Sequence, residues 1–281
     1  MATEGRSRHG DRGEHLWVVE EAADVVRPEP RVHVPEDVSD TDRWGRSEDV
    51  LRRVGPAFDF LYDRWFRTEI EGLDNVPAGG ALLVSNHAGA LPPDAIQIIW
   101  AIRRELDRSV YVLGENILSR LPVAGWIFRR IGGVEAAPST ARKLLGEEGR
   151  LGLVFPEGTK GTGKRWTERY RLQRFGRGGF VRVAMDAGVP IVPVAVLGAE
   201  EAMPIFGRLD GLANMIGVPY VPLTSLVWLP VKFRIRVLEP IDVHLGNSDD
   251  HTQQMVSEDV RSVIQNALID LLGRRRSVIL G

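Results

Sequence analysis

The chain has 281 residues, 43 % hydrophobic and 26 % charged, with a net charge of −2, a composition that excludes a disordered chain and a multi-pass membrane protein. It contains no cysteine, which excludes disulfides, thiolate metal sites and a cysteine nucleophile and fits a reducing cytosol. Charge is segregated: residues 1–45 carry 11 acids against six Arg, whereas residues 155–182 carry eight basic side chains against Glu157 and Glu168.

Residues 1–45 are polar and proline-containing and read as a flexible acidic leader, leaving 46–281 as the folded domain. The leader has no long apolar core of the kind a secretory signal needs. A helical pattern opens at Ser47, a plausible N-cap, and continues through "SEDVLRRVGPAFDFLYDRWFRTEI". Its Phe58, Leu61, Tyr62, Trp65 and Phe66 share one face, a stripe of the kind that packs into a core. Strands are then predicted at 81–86, 109–114, 151–155, 190–196 and 232–238. Helices are predicted at about 94–106, 115–131, 139–148, 176–187 and 256–272. This alternation argues for an α/β sandwich with a partly parallel central sheet flanked by helices. The longest uncharged run, 211–231, is broken by Pro219, Pro222 and Pro230. No segment therefore reads as a membrane-spanning helix, which needs roughly 20 mostly apolar residues.

Of six histidines only His87 follows a buried-looking strand, in "ALLVSNHAGALPPDAIQIIW", with Asp94 opening the next helix. Loops at the C-terminal ends of strands are where α/β sheets usually bind ligands. A neutral imidazole is a natural base near neutral pH, and a carboxylate on its other ring nitrogen fixes the tautomer. On these two residues alone, a core histidine and an acid favouring a helix start fit as well.

The stretch "FPEGTKGTGKRW" (155–166) has the Gly and Lys spacing of a phosphate-binding P-loop from Gly158 onward. A P-loop needs Ser or Thr after Gly-Lys to coordinate magnesium, and Arg165 stands there instead. The alternative is a turn after a strand: Pro156 ends the strand, Gly158 permits a conformation closed to other residues, and Glu157 and Thr159 then face one pocket. The basic block points to an anionic ligand or surface, or else to a solvated face. It comes without a recognisable nucleic-acid-binding module or enough stacking aromatics, so no nucleic acid is expected as a partner.

Four blocks in order, "NHAGALPPD" (86–94), "LPVAGWIFRRIGGV" (121–134), "FPEGTKG" (155–161) and "VPIVPVAV" (189–196), resemble the PlsC-like lysophospholipid and glycerolipid acyltransferase superfamily. Six residues separate His87 from Asp94, where four are commonest in that family. The longer loop is similar to the branch that includes monoacylglycerol- and diacylglycerol-acyltransferase-like proteins. The resemblance implies acyl transfer from acyl-CoA or acyl carrier protein to a hydroxyl of a glycerolipid or lysophospholipid. His87 would be the general base and Asp94 its partner, with no metal and no cofactor besides the acyl thioester co-substrate. It further implies acceptor binding by Glu157, Gly158, Thr159 and Lys160, with Arg129 and Arg130 nearby for anionic groups. Lys160 stands where glycerol-phosphate acyltransferases usually carry Arg, keeping the charge but losing the bidentate fork.

Such an enzyme meets a bilayer, so an anionic membrane surface is an expected partner and the inner face of the cell membrane the expected location. The apolar, proline-bent region 203–230 and the basic residues of 164–177 are the expected contacts. Ser85, two residues before His87, is the one alternative nucleophile in the strand. A lipid-binding protein without catalysis and a lipid esterase or thioesterase are the competing readings.

Overall fold

A computed structural model describes residues 40–89, 93–114, 122–176, 178–209, 221–225, 227–243 and 249–280, all within one compact unit spanning 32–281. Most of the expected leader, residues 1–39, lies outside the described residues. Its last residues form a hydrogen-bonded turn in which the Asp42 carboxylate accepts from the Trp44 and Arg46 amides and from the Tyr111 hydroxyl.

The expected α/β sandwich is present. Seven strands form one sheet in the order β1-β9-β6-β2-β5-β3-β4, parallel at every pairing except β6 with β9. The strands are β1 (Glu69–Glu71), β2 (Ala81–Ser85), β3 (Val110–Gly114), β4 (Gly133–Glu135), β5 (Leu151–Val154), β6 (Ile191–Leu197) and β9 (Arg234–Val237). A separate antiparallel hairpin joins β7 (Ile205–Arg208) to β8 (Pro222–Thr224). The helices are α1 (Glu48–Phe60), α2 (Pro93–Leu106), α3 (Pro122–Arg130), α4 (Pro138–Ala141, continued by a π-turn), α5 (Thr159–Thr162), α6 (Gly179–Ala187), α7 (Ala199–Ala202) and α8 (Asp250–Arg274).

The central strands are covered on both faces, which is why β2 and β6 read as unbroken apolar runs rather than alternating ones. Leu82 and Val84 point to the layer of α4, α6 and α8, against Leu144, Val181 and Leu268. Ala81 and Leu83 point the other way, among Ile98, Ile102 and Phe233. Each such fully buried aliphatic side chain contributes about 1.5–3 kcal/mol. The aromatic stripe of the first helix packs inward as expected, with Tyr62 and Phe66 buried.

Two details differ from the sequence reading. The first helix was expected to run to Ile70. It ends at Phe60, passes through a π-turn to Trp65, and gives way to β1. The reversal occurs at Arg67, in the left-handed region at φ 45°, where its guanidinium donates to the carbonyls of Trp65, Pro230 and Ile279. Four short strands, β1, β4, β7 and β8, were also not predicted; none is longer than four residues.

Candidate active site

In the sheet β2 lies between β5 and β6, so the segments leaving the C-terminal ends of these three strands sit side by side. The middle segment carries His87. Main-chain pairing of β2 with β6 reaches Ser85. One residue on, the Asn86 side chain imitates a backbone: its Nδ2 donates to the Val196 carbonyl at 2.9 Å, and its Oδ1 accepts from the Val196 amide at 2.8 Å. This extends the sheet by a side chain and fixes where the chain departs toward His87.

Asp94, in the first turn of α2, is fully buried, and its Oδ2 lies 2.9 Å from His87 Nδ1. The same oxygen accepts from the Ala88 amide at 3.0 Å. An ionised Asp94 accepts only, so Nδ1 carries the hydrogen and Nε2 keeps its lone pair. That is the tautomer of a general base. The ring also stacks on Phe155, with centroids 4.0 Å apart and planes 20° from parallel.

The segment after β5 supports the other side of His87. Glu157 Oε1 accepts from the His87 backbone amide at 3.0 Å, and Oε2 accepts from the Gln173 amide at 2.6 Å. Lys164 Nζ is 3.3 Å from Glu157 Oε2 and 2.8 Å from Glu200 Oε1, with the lysine side chain 3 % exposed. Burial opposes the lysine's charge, but Glu200 and Glu157 outweigh it and hold the ammonium above its ordinary pKa. Burial pushes Glu200 up, offset in part by Lys164 and by the Tyr170 amide. Gly158 bends the turn at φ 53° and ψ −139°, a combination closed to side-chain-bearing residues. Gly161 is required by proximity, because a Cβ there would lie 2.7 Å from Glu157 Cβ and 2.9 Å from the His87 carbonyl oxygen.

The acyltransferase family model matches residues 67–197, which include His87, Asp94 and the turn around Glu157. The chain belongs to the acyltransferase family. Among relatives of this acyltransferase, an uncharacterised Mycobacterium leprae protein is 41 % identical over 244 residues, covering 81 % of this chain and 66 % of that protein. A Gallus gallus protein named DGAT1/2-independent enzyme synthesizing storage lipids is 31 % identical over 180 residues, covering 63 % of this chain and 53 % of its own. The chain thus spans about two thirds of the mycobacterial relative and about half of the avian one. The crystal structure of the 1-acyl-sn-glycerophosphate acyltransferase PlsC from Thermotoga maritima shares the fold, with a TM-score of 0.53 at 21 % identity and 80 % coverage of both chains.

The acyltransferase brings together some of the residues singled out in the sequence. His87 and Asp94 are in contact, with Glu157 directly behind them. The Glu157 carboxylate, expected to face the acceptor, is turned inward and occupied by two backbone amides and Lys164. Thr159 and Lys160 lie exposed on the short helix α5, beside Gly158. Arg129 and Arg130 are elsewhere. They end α3 and lead through Gly132, whose carbonyl accepts from Val112, into the sheet from the end opposite His87. Arg130 there donates to Thr41 and lies over the Trp126 ring. Ser85 is fully buried and donates to its neighbour Asn86's carbonyl, so it takes no nucleophile's position.

Asn86, Phe155, Gly161 and Glu200 all touch or brace the site and were given no role from sequence. Lys164 was read as part of the basic block and as the lysine of the rejected P-loop pattern. Apart from the motif they share with His87 and Glu157, nothing in their spacing distinguishes them from surface or core residues. With Lys164 held by two carboxylates, the P-loop reading of residues 158–164 has no lysine left to offer a phosphate.

Proposed function

We propose that this acyltransferase moves a fatty acyl group from acyl-CoA or acyl carrier protein to a hydroxyl of a glycerolipid or lysophospholipid. The contact between Asp94 Oδ2 and His87 Nδ1 carries the reading, because it leaves Nε2 free to take a proton. His87 Nε2 removes the acceptor's hydroxyl proton as that oxygen bonds to the thioester carbonyl carbon. The tetrahedral intermediate collapses, the C–S bond breaks, and the imidazolium returns the proton to the departing thiolate. The products are an ester and a free thiol. Asp94 holds the ring and stabilises the imidazolium, and no covalent enzyme intermediate is required. Positioned base catalysis of this kind is worth about 10²–10⁴-fold. Thr159 and Lys160, exposed on α5 beside the site, are the residues available to the acceptor's polar head.

The reading includes a membrane surface on the cytoplasmic face. No helix among the described residues is long and apolar enough to cross a membrane. The β7–β8 hairpin, following α7 at the same end of the sheet as His87, instead exposes Phe206 at 69 % and Val227, just beyond β8, at 68 %. Trp166 packs near Phe206, with centroids 6.4 Å apart, and Arg169 lies over the Trp166 ring. An apolar tip fringed by cations suits an anionic bilayer. Residues 210–220, part of the expected apolar region, lie outside the described residues.

The test is release of thiol from a long-chain acyl-CoA in detergent micelles, with products identified by mass spectrometry. The acceptors are glycerol-3-phosphate, lysophosphatidic acid, monoacylglycerol and diacylglycerol. Acceptor-dependent release with an acylated product is the expected result, and the productive acceptor names the substrate class. Thiol release without acylated product would replace the reading with a thioesterase. No release from acyl-CoA or from acyl carrier protein would replace it with a lipid-binding protein.

A further inference from the structure

The loops after β5 and β6 are joined to each other across the loop after β2 by a buried cation, beside the hydrogen bonds that Tyr170 gives to Glu200 and Glu201. Lys164 belongs to the first of these loops and Glu200 to the helix opening the second, and their charged atoms are 2.8 Å apart. Ala88 and Gly89, the two residues after His87, line the same small cavity as Lys164 and Glu200, together with Met203 and Ile205. The ion pair therefore closes a strap around the segment that carries the base. Both of its ends are anchored. Glu200's other oxygen accepts from the Tyr170 amide at 2.5 Å. On the far side Lys164 reaches Glu157, whose Oε1 holds the His87 amide.

Charge balance shows why one lysine matters to both loops. Glu157 is buried and the Glu200 side chain is only 12 % exposed, and Lys164 is the one cation described in contact with either carboxylate. Arg165 and Arg169 line the same cavity, yet Arg165 is exposed and Arg169 is spent on the Trp166 ring and carbonyl. Without the ammonium, two desolvated like charges face each other, and the cheapest relief is to bind a proton or to part the loops. Either response weakens the grip of Glu157 on the His87 amide.

We propose that Lys164 is a positioning residue for His87: by pairing with Glu157 and Glu200 together it straps the β5 and β6 loops over the β2 loop and holds the base in register with its substrate. Lys164 touches no reacting atom and acts through Glu157. The inference rests on the reading of His87 as the base for its effect on rate, while the strap itself is a structural claim that stands apart from any substrate.

Hydrogen–deuterium exchange on the full chain separates the two. In Lys164→Met the segment 82–89 is expected to exchange about tenfold faster than in wild type, as expected when a local opening becomes easier. In the double variant Lys164→Met/Glu200→Gln, which removes one of the two facing charges, protection is expected to return most of the way. A residue that only filled space would give no such rescue. In the acyl-transfer assay Lys164→Met should lower kcat by about 100-fold, the cost of a small misplacement of a catalytic group. The KM for the thioester should stay within about twofold, and the double variant should recover most of kcat. Unchanged protection of 82–89 in Lys164→Met, or a double variant no better than the single one, would overturn the proposal. Should Lys164→Met not fold, Glu200→Gln and the double variant carry the test. Glu200→Gln alone, which cuts the tie but leaves Lys164 paired with Glu157, must then speed exchange in 82–89 by about two- to threefold, the same remainder expected in the double variant, and unchanged protection overturns the strap. Altered protection in a protein that acylates nothing in wild-type form would leave the strap standing and remove the acyltransferase mechanism.

Discussion

The two ends of the central sheet handle charge in opposite ways. Beyond β2, β5 and β6, the ionisable groups His87, Asp94, Glu157, Lys164 and Glu200 are withdrawn from water and matched to one another and to backbone amides. At the opposite end, where β1 and β9 run out, there is an open groove of about 590 Å³ lined by Glu71, Asn75, Arg236 and Glu239 among others. Its charges sit at the rim: Arg236 pairs with Glu71 and with Asp270 at 2.7 Å, and both acids are about half exposed. The groove offers more room, yet the described residues lining it include no histidine and no buried carboxylate. The proposed site is chosen by positioned, desolvated charge rather than by volume, because burying ionisable groups costs free energy that only a precise arrangement recovers.

Substitutions at the two ends should have very different effects. Asp94→Asn should have a large effect, lowering kcat by about 10²–10³-fold, since an amide holds the imidazole in the wrong tautomer and no longer stabilises its cation. Steady-state kinetics on a variant with native circular dichroism would check it. Gly161→Ala comes next: the added methyl meets Glu157 and His87 and forces the loops apart, for an expected loss of about 10- to 100-fold in kcat. Phe155→Leu removes the stacking surface under His87, and a stacked aromatic contact is worth about 0.5–1.5 kcal/mol, so a three- to tenfold loss of about that origin is expected in kcat/KM. Arg236→Ala, in the groove, should leave turnover within about twofold and lower stability by no more than about 1 kcal/mol, as exposed ion pairs do. Chemical denaturation read beside the kinetics tests the last of these.

The geometry at the His87 end was legible in the sequence where it depended on residues near one another along a motif. The fully apolar runs of β2, β5 and β6 announced a covered sheet, and His87 after one strand with Asp94 opening a helix announced the pair now seen at 2.9 Å. The carboxylate of Glu157 was legible as part of the site but not in its direction. A pocket-facing acid and one turned inward to hold an amide have the same local sequence. Lys164 was hidden for a related reason. Four of its basic neighbours, Arg165, Arg171, Arg174 and Arg182, are exposed, and its burial depends on Glu200, 36 residues away and on another strand's loop. Arg129 and Arg130 were misplaced by topology, since a helix preceding a parallel strand delivers its last residues to the wrong end of the sheet. The strand β1 was missed because its sequence, Glu-Ile-Glu, buries one side chain at most and continues an apparent helical pattern. Only the left-handed Arg67, held by four carbonyls, two local and two distant, separates the two.

In the proposed mechanism acyl transfer belongs to the His87 end of the sheet and uses His87 as its base. The most direct test is acceptor-dependent thiol release, with the ester product quantified, for wild type, His87→Ala and Arg236→Ala in one assay. Wild type and Arg236→Ala should form ester at similar rates, and His87→Ala should lose at least about 10²-fold, the smallest effect usual for a removed general base. Ester formation that survives in His87→Ala, or that disappears in a folded Arg236→Ala, would contradict that mechanism.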